Sequence, residues 1–503
     1  MEYNPTIYEI NTRVWIRKFD NINSNRKSND SASKVKLQET NFKNIPFSYW
    51  EHLKKLGIDY VWLMGVWKTC PSTIEKYCFE EDLKNSYTRA LKDWKKEDIA
   101  GSPFAIDKYE INPLLGSKED LLELKKALNK AGLKLILDFV ANHFSVDSYL
   151  TIEKPWLFLK ATENNFQNDP HTFFKAHDGS IYAHGRDPFF PAWQDTIQVN
   201  YFNSDARRFM IDTLIDLTKI CDGVRCDMAI LALNNVFSNT WAGVIEEKNK
   251  NSYEEFWKEA IDKTKKVRRD FLFIAEAYWD LEWQLQNLGF DYTYDKKLTD
   301  RLKIGDVSEI YGHLLADRDY QLKSVRFIEN HDEERAVTAL GRERSKAAAV
   351  IISTIQGMRF YYDGQFEGKK IKLPVQLNRE PVEEIDLSLK QFYEKLLLIT
   401  KEEIFRKGSW KILTPISSWD GNESYKNILA WEWKRNNDNR LVVVNYSNVT
   451  STCRIKLDVK GFPEEFIITD LLNDQNYTRS AEEVYHSGLY IELKPFHSHI
   501  FSY

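Results

Sequence analysis

The chain has 503 residues, 43% hydrophobic and 29% charged, an ordinary globular composition that excludes a disordered or collagen-like chain. At roughly 100–200 residues per domain it holds two to four domains, fewer if one is a barrel of about 250 residues. Lys plus Arg number 70 against 75 Asp plus Glu, a formal net charge of −5, which gives no basis for a nucleic-acid or anionic-membrane partner.

In chain order, a first strand pattern lies around Ile7–Ile16, and the polar stretch DNINSNRKSNDSASK after it reads as a loop or insertion. PFSYWEHLKKLG reads as a helix between Pro46 and Gly57. IDYVWLMGVW is a continuous apolar run, the pattern of a strand buried on both faces. The unit repeats. Ser117 opens a capping-box pattern before the helical spacing Leu121–Leu128, Gly132 stops it, and LKLILDFV is the next buried strand. The helix DARRFMIDTLIDLTKI leads to the strand DGVRCDMA, and a helix capped by Ser252 with Glu255 leads to FLFIAEAY. SVRFIENHD, the helix SKAAAVIISTI and MRFYYDG complete the alternation. Buried strands alternating with amphipathic helices imply parallel βαβ units, enough to close an eight-stranded α/β barrel.

Two stretches depart from this rhythm. The segment from His143 to about Asn200 is rich in Asn, Asp, His, Pro and aromatics and reads as an inserted subdomain. After about Lys401 short strand patterns (NILAWEWK, NRLVVVNYS, TCRIKLDV, EFIITDLL, LYIELK) are separated by Asn, Asp, Gly and Pro, as in an all-β sandwich. The expected organisation is barrel over 1–143, insertion over 144–200, barrel again over 201–400, and a C-terminal β-sandwich over 401–503.

Five cysteines, none in a Cys-x-x-Cys spacing, make neither a disulfide framework nor a zinc site, and their odd number fits a reducing compartment. MEYNPTIYEINTRVW lacks the basic and apolar regions of a secretory leader. No apolar run approaches the ~18 residues of a spanning helix, and the expected location is cytoplasmic, with no membrane partner. Nothing in the sequence sets an oligomeric state.

Polar residues sit where apolar strands end: LKLILD at Asp138, GVRCD at Asp227, FLFIAE at Glu276 and FIENHD at Asp332. In a parallel barrel the strand C-termini open on one face, so four distant acids converge on one pocket. Facing acids suit glycoside hydrolysis by a carboxylate pair or divalent-metal binding. A single such acid is more simply a helix cap or an ion-pair partner; four on successive strand ends are not.

The segments DFVANH, GVRCDMA, IAEAY and ENHD, in this order, resemble the four signature regions of the alpha-amylase family, glycoside hydrolase family 13. The resemblance implies a retaining hydrolase of α-glucosidic bonds in oligo- or polysaccharides. The alternatives on the same site are a transglycosylase, isomerase or phosphorylase, and, in another class, a non-catalytic carbohydrate-binding or accessory protein. By resemblance Asp227 is the nucleophile, Glu276 the general acid and base, and Asp332 the residue that binds substrate hydroxyls. The pair Asp227 and Glu276 is then expected about 5–5.5 Å apart. Arg225 keeps Asp227 ionised, Asp138 orients Arg225, and His143 and His331 bond the sugar being cleaved. Phe104, in GSPFAIDKY where the family often has Tyr, and Trp67, past the second strand, are expected to stack on sugar; Trp193 and Trp279 are read as packing residues. The Lys-His pair that often follows the nucleophile is replaced by Ile230 and Leu231. No cofactor is required. Asn142 matches an Asn that ligates calcium in many members, but a structural hydrogen bond is an equal reading, and no metal is assigned.

Overall fold

The computed structural model describes residues 4–20, 40–245 and 254–503. Most of the polar stretch after Asp20, and Ser252, lie outside them. Eight parallel strands close a barrel: β1 (Thr6–Asn11), β2 (Tyr60–Met64), β3 (Lys134–Val140), β4 (Gly223–Asp227), β5 (Leu272–Ala275), β6 (Tyr292–Tyr294), β7 (Ser324–Arg326) and β8 (Met358–Tyr362), with β1 paired to both β2 and β8. Their apolar runs follow from burial on both faces. Ile7, Trp62, Ile136, Ile274, Val325 and Phe360 fill the barrel interior, while the alternate residues face the surrounding helices.

The connecting helices carry their own signals. Helix Lys118–Lys130 begins with a reciprocal box: Ser117 Oγ accepts from the Asp120 N–H, and the Asp120 carboxylate accepts from the Ser117 N–H. Gly223 lets β4 approach β5 closely, since a Cβ there would lie 2.6 Å from the Leu272 carbonyl oxygen.

The first strand is shorter than its pattern. It stops at Asn11, and the chain turns into the short helices Thr12–Trp15 and Ile16–Phe19. β6 was not legible as a strand, because three residues flanked by Asp give no periodicity. An excursion between β2 and helix Lys118–Lys130 was also not expected. It pairs Trp67–Thr69 with Ile106–Ile111 and carries helices Pro71–Tyr77 and Glu81–Ala90. Between β3 and β4 the chain forms the two-stranded sheets His143–Ser145 with Thr196–Gln198 and Phe173–Lys175 with Ile181–Ala183.

Beyond helix Leu387–Thr400 the chain becomes antiparallel. A six-stranded sheet and the pair Ser451–Ile455 with Leu489–Leu493 enclose a separate core that includes Ile428, Val443, Ile468 and Ile491. Trp433 Nε1 donates to the Thr354 carbonyl and Tyr446 Oη to that of Leu302, fastening the sheet to barrel helices.

Candidate active site

Arg225 organises the site. It lies on β4 opposite Asp138 of β3, and its guanidinium packs among the rings of Trp62, Phe104 and Tyr294, 5.0–5.6 Å from their centroids. Its two terminal nitrogens hold two acids: Nη1 lies 2.7 Å from Asp227 Oδ1 and Nη2 lies 2.8 Å from Glu276 Oε2. Alternation along β4 puts Arg225 and Asp227 on the same face and turns Cys226 into the core.

The acids occupy three different strand positions. Asp227 is the last residue of β4, while Glu276 is the first after β5. Asp138 sits inside β3, two residues before its end. Asp332 is not at a strand end: β7 stops at Arg326, and Asp332 lies six positions further on a loop. There its carboxylate is half exposed at the mouth of the site, whereas Asp227 and Glu276 are buried.

Glu276 has two further partners. The Met228 N–H donates to Oε2 at 2.7 Å, and the Tyr278 hydroxyl contacts Oε1 at 2.8 Å. Met228 adopts a left-handed backbone, φ 40°, a conformation a side chain disfavours and that persists where surrounding contacts enforce it. That turn directs its N–H at Glu276.

His331 joins Asp332 to a residue that sequence reasoning missed. Its Nε2 lies 3.0 Å from Asp332 Oδ2, and its Nδ1 lies 2.5 Å from Oε1 of Glu9, buried in β1. The available signal was a charged side chain inside an otherwise apolar strand. Tyr278, Tyr294 and Trp62 were missed as well; aromatics in apolar runs carry no distinguishing mark.

The electrostatics follow from this layout. Burial works against a charged His331, but Asp332 and Glu9 outweigh it, so its proton affinity is well above the ordinary histidine value. Partial loss of water raises the half-exposed Asp332 carboxyl, the charge of His331 outweighs it, and the value falls to about 2. Burial lifts Glu276, Arg225 pulls it down, and the charges of Asp227 and Asp332 push it up again, leaving it raised. Burial also raises Asp227 against the pull of Arg225. Two buried acids on one guanidinium titrate as a pair, and the first proton belongs to both. Burial brings His143 down to about 3, a neutral imidazole.

Of the residues expected at the site, Asp227, Glu276, Arg225, His331, Asp332 and Phe104 come together; the Phe104 ring lies 5.4 Å from that of His331. His143 adjoins Trp193 at 5.3 Å and hydrogen-bonds the Phe104 backbone. Two expectations change. Asp138 does not hydrogen-bond Arg225. Its oxygens accept from Trp62 Nε1 at 2.9 Å and the Gly65 N–H at 2.8 Å, so it braces the chain after β2 and acts on Arg225 through charge. Trp67 is not a platform: it is buried, donates its indole N–H to the Asp138 carbonyl and packs on Tyr109. Trp279, in contrast, is partly exposed and meets Phe189 of the insertion edge to face at 4.8 Å.

Calcium does not fit around Asn142. Gln198 Nε2 donates toward Asn142 Oδ1, Asn142 O and Val199 O at 2.9–3.0 Å, so an amide nitrogen occupies the point on which these oxygens converge. Calcium takes six to eight oxygen ligands, and among the described residues no group of three His, Cys, Asp or Glu side chains is placed to hold a metal.

A buried acid pair on one arginine, at the open end of a parallel barrel, defines a carboxylate-based barrel site. The sequence model described as the alpha-amylase catalytic domain matches residues 48–386, and the chain belongs to the alpha-amylase family. It is 23% identical over 426 residues to alpha-amylase MalA of Haloarcula japonica, covering 82% of this chain and 53% of that relative. It is 20% identical to an oligo-1,6-glucosidase of Heyndrickxia coagulans, over 90% of this chain and 83% of that one. The crystal structure of a noncanonic maltogenic alpha-amylase, AmyB of Thermotoga neapolitana, superposes with a TM-score of 0.67 at 22% identity, covering 99% of this chain and 98% of that one.

Proposed function

We propose that this protein is a retaining hydrolase of α-glucosidic bonds in oligo- or polysaccharides. The observation that carries the reading is the attachment of Asp227 and Glu276 to the two ends of one guanidinium. Both carboxyls are thus gathered on one cation, and a covalent glycosyl-enzyme requires such a pair about 5–5.5 Å apart.

Asp227 accepts a hydrogen bond from Arg225 Nη1 through Oδ1, which favours the anion there, and it attacks the anomeric carbon. The shared proton resides on Glu276 until the glycosidic oxygen takes it. Glu276 then removes a proton from the incoming water. Asp332, kept ionised by His331, bonds sugar hydroxyls and stabilises positive charge at the ring in the transition state. Phe104 offers its face to the sugar and His143 its neutral imidazole. No metal or cofactor enters these steps.

Relatives that the names describe as alpha-amylase, oligo-1,6-glucosidase and maltogenic alpha-amylase support an α-glucan substrate. All five cysteines are unpaired and buried, which supports a reducing, cytoplasmic setting. Among the described residues no helix is long and apolar enough to cross a membrane.

The test is incubation with a panel of α-linked glucosides, following product anomers by NMR, for wild type, Asp227→Asn and Glu276→Gln. Release of α-configured sugar, lost in both variants, is the expected result. Products longer than the substrate would move the activity to transfer, and β-configured sugar would overturn the retaining mechanism.

A further inference from the structure

Beyond β5 the chain runs through Glu276, Ala277 and Tyr278 with no turn before Trp279. Alternation puts Glu276 and Tyr278 on one side and Ala277 in the core. There the chain reverses. Trp279 and Asp280 hold consecutive left-handed backbones, φ 63° and 61°, and the Leu281 N–H closes on the Tyr278 carbonyl at 3.2 Å. Two central residues of positive φ mark a type I′ turn, which ordinarily takes Asn, Asp or Gly. A Trp at such a position is held by its surroundings. The Trp279 ring meets Phe189 at 4.8 Å, and Asp280 Oδ1 lies 2.6 Å from Lys297 Nζ. The strained turn therefore fixes Tyr278, the residue from which it starts.

The two oxygens of Glu276 are not equivalent. Oε2 receives the Met228 N–H and faces Arg225 Nη2, so an acid proton belongs on Oε1. Oε1 meets the Tyr278 hydroxyl at 2.8 Å, and among the described residues that hydroxyl bonds no other side chain. Burial and the charges of Glu276 and Asp332 raise the phenol well above its ordinary value, so it keeps its proton and stays a donor.

We propose that Tyr278 is the positioning residue of the general acid: its hydroxyl donates to Glu276 Oε1 in both protonation states and leaves the open pocket as the direction in which the acidic O–H points. The role of Glu276 rests on the hydrolase reading above. In the first step that proton passes to the glycosidic oxygen as the bond from this oxygen to C1 breaks and an Asp227 oxygen bonds C1. Glu276 becomes a carboxylate, and the Tyr278 bond, now charge-assisted, strengthens. In the second step Oε1 takes a proton from water, whose oxygen replaces Asp227 at C1. Tyr278 keeps its own proton throughout. A bond stronger to the anion than to the acid holds the proton affinity of Glu276 down, against burial and the charges of Asp227 and Asp332.

Tyr278→Phe removes this donor and keeps the ring that packs on the core. Arg225 and Asp227 of β4, Tyr294 of β6 and Asp332 beyond β7 still face Glu276. The alkaline limb of kcat/KM, where the acid loses its proton, is therefore expected about one pH unit higher than in wild type. A site merely loosened by the substitution admits water, which relieves the burial of Glu276 and moves the limb the other way. On the α-linked oligosaccharide selected by the panel above, kcat/KM falls roughly ten- to a hundredfold, but on α-glucosyl fluoride, whose leaving group needs little protonation, by less than about threefold. Independently of turnover, the protonated-carboxyl infrared band that Glu276→Gln removes is titrated in the full chain with and without Tyr278→Phe, and the same upward shift is expected. A limb and a band that stay in place or move to lower pH, or an equal loss on the fluoride, overturn the proposal. The infrared shift in a protein that cleaves no α-glucoside would uphold the Tyr278 bond and overturn the hydrolase reading instead.

Discussion

Replacing Glu9 with Gln tests whether the first strand sets the charge at the mouth of the site. The substitution keeps shape and an acceptor oxygen facing His331 Nδ1 and removes one negative charge. The carboxylate and imidazole touch at 2.5 Å, so their charge centres lie about 4 Å apart. At an effective dielectric constant of about 20 such a pair is worth about 4 kcal/mol, or about 3 pKa units at roughly 1.4 kcal/mol per unit. Neighbouring opposite charges ordinarily shift a group by about 1–3 units, and a fall in that range is expected for His331. The direction is set by its raised proton affinity. The stabilisation from a charged His331 is complete below about pH 6.5, the unfolded value, and fades as pH rises through the folded value. In Glu9→Gln it fades at a pH about 1–3 units lower. The chain has 10 histidines, few enough for selective ¹⁵N labelling, so the His331 ring can be titrated directly by NMR beside the pH profile of kcat/KM. The variant should lose its imidazolium signal at lower pH than wild type. A His331 titration that stays in place or moves upward refutes the argument.

Arg225→Met leaves Asp227 and Glu276 buried without their shared cation; kcat should fall at least ~10²–10³-fold, and the pair should take up a proton at higher pH, read by difference titration. Asp295 is buried against Arg326 and His313. Burial raises its carboxyl, the two bases more than offset this, and the value falls to about 2. It therefore contributes about 2 kcal/mol above pH 4, lost as pH falls from about 4 to about 2. Asp295→Asn should cost about 3–5 kcal/mol by leaving Arg326 unpaired, visible as a lower urea midpoint. EDTA should change neither Tm nor activity; a Tm drop restored by calcium would show that the oxygens around Gln198 Nε2 hold a cation after all.

The barrel was legible because strands buried on both faces read as unbroken apolar runs and their helices carry caps such as Ser117. β6 escaped because three residues flanked by Asp have no period to detect. The excursion containing Phe104 escaped because its short ribbon and helices resemble ordinary loop sequence. Within the site, Arg225 and Asp227 share one strand, so alternation alone places them together. Glu9 and His331 meet across 322 positions, and only closure of β1 against β8 makes them neighbours. Trp67 was placed at the rim by its position after β2, yet the chain turns there into the ribbon, and the indole folds beneath Asp138. Trp279 reads as a weaker stacking candidate with packing favoured, and it packs on Phe189, though its left-handed backbone carries it to the surface, which no periodicity announces.

The central claim is that Asp227 forms a bond to the sugar. Trapping with a 2-deoxy-2-fluoro-α-glucosyl fluoride or its 5-fluoro counterpart, followed by peptide mass spectrometry, tests it directly. The account predicts one added glycosyl unit on the peptide containing Asp227, absent in Asp227→Asn. A glycosyl unit on Glu276 or Asp332, or turnover of the reagent with inverted product and no labelled peptide, would contradict it.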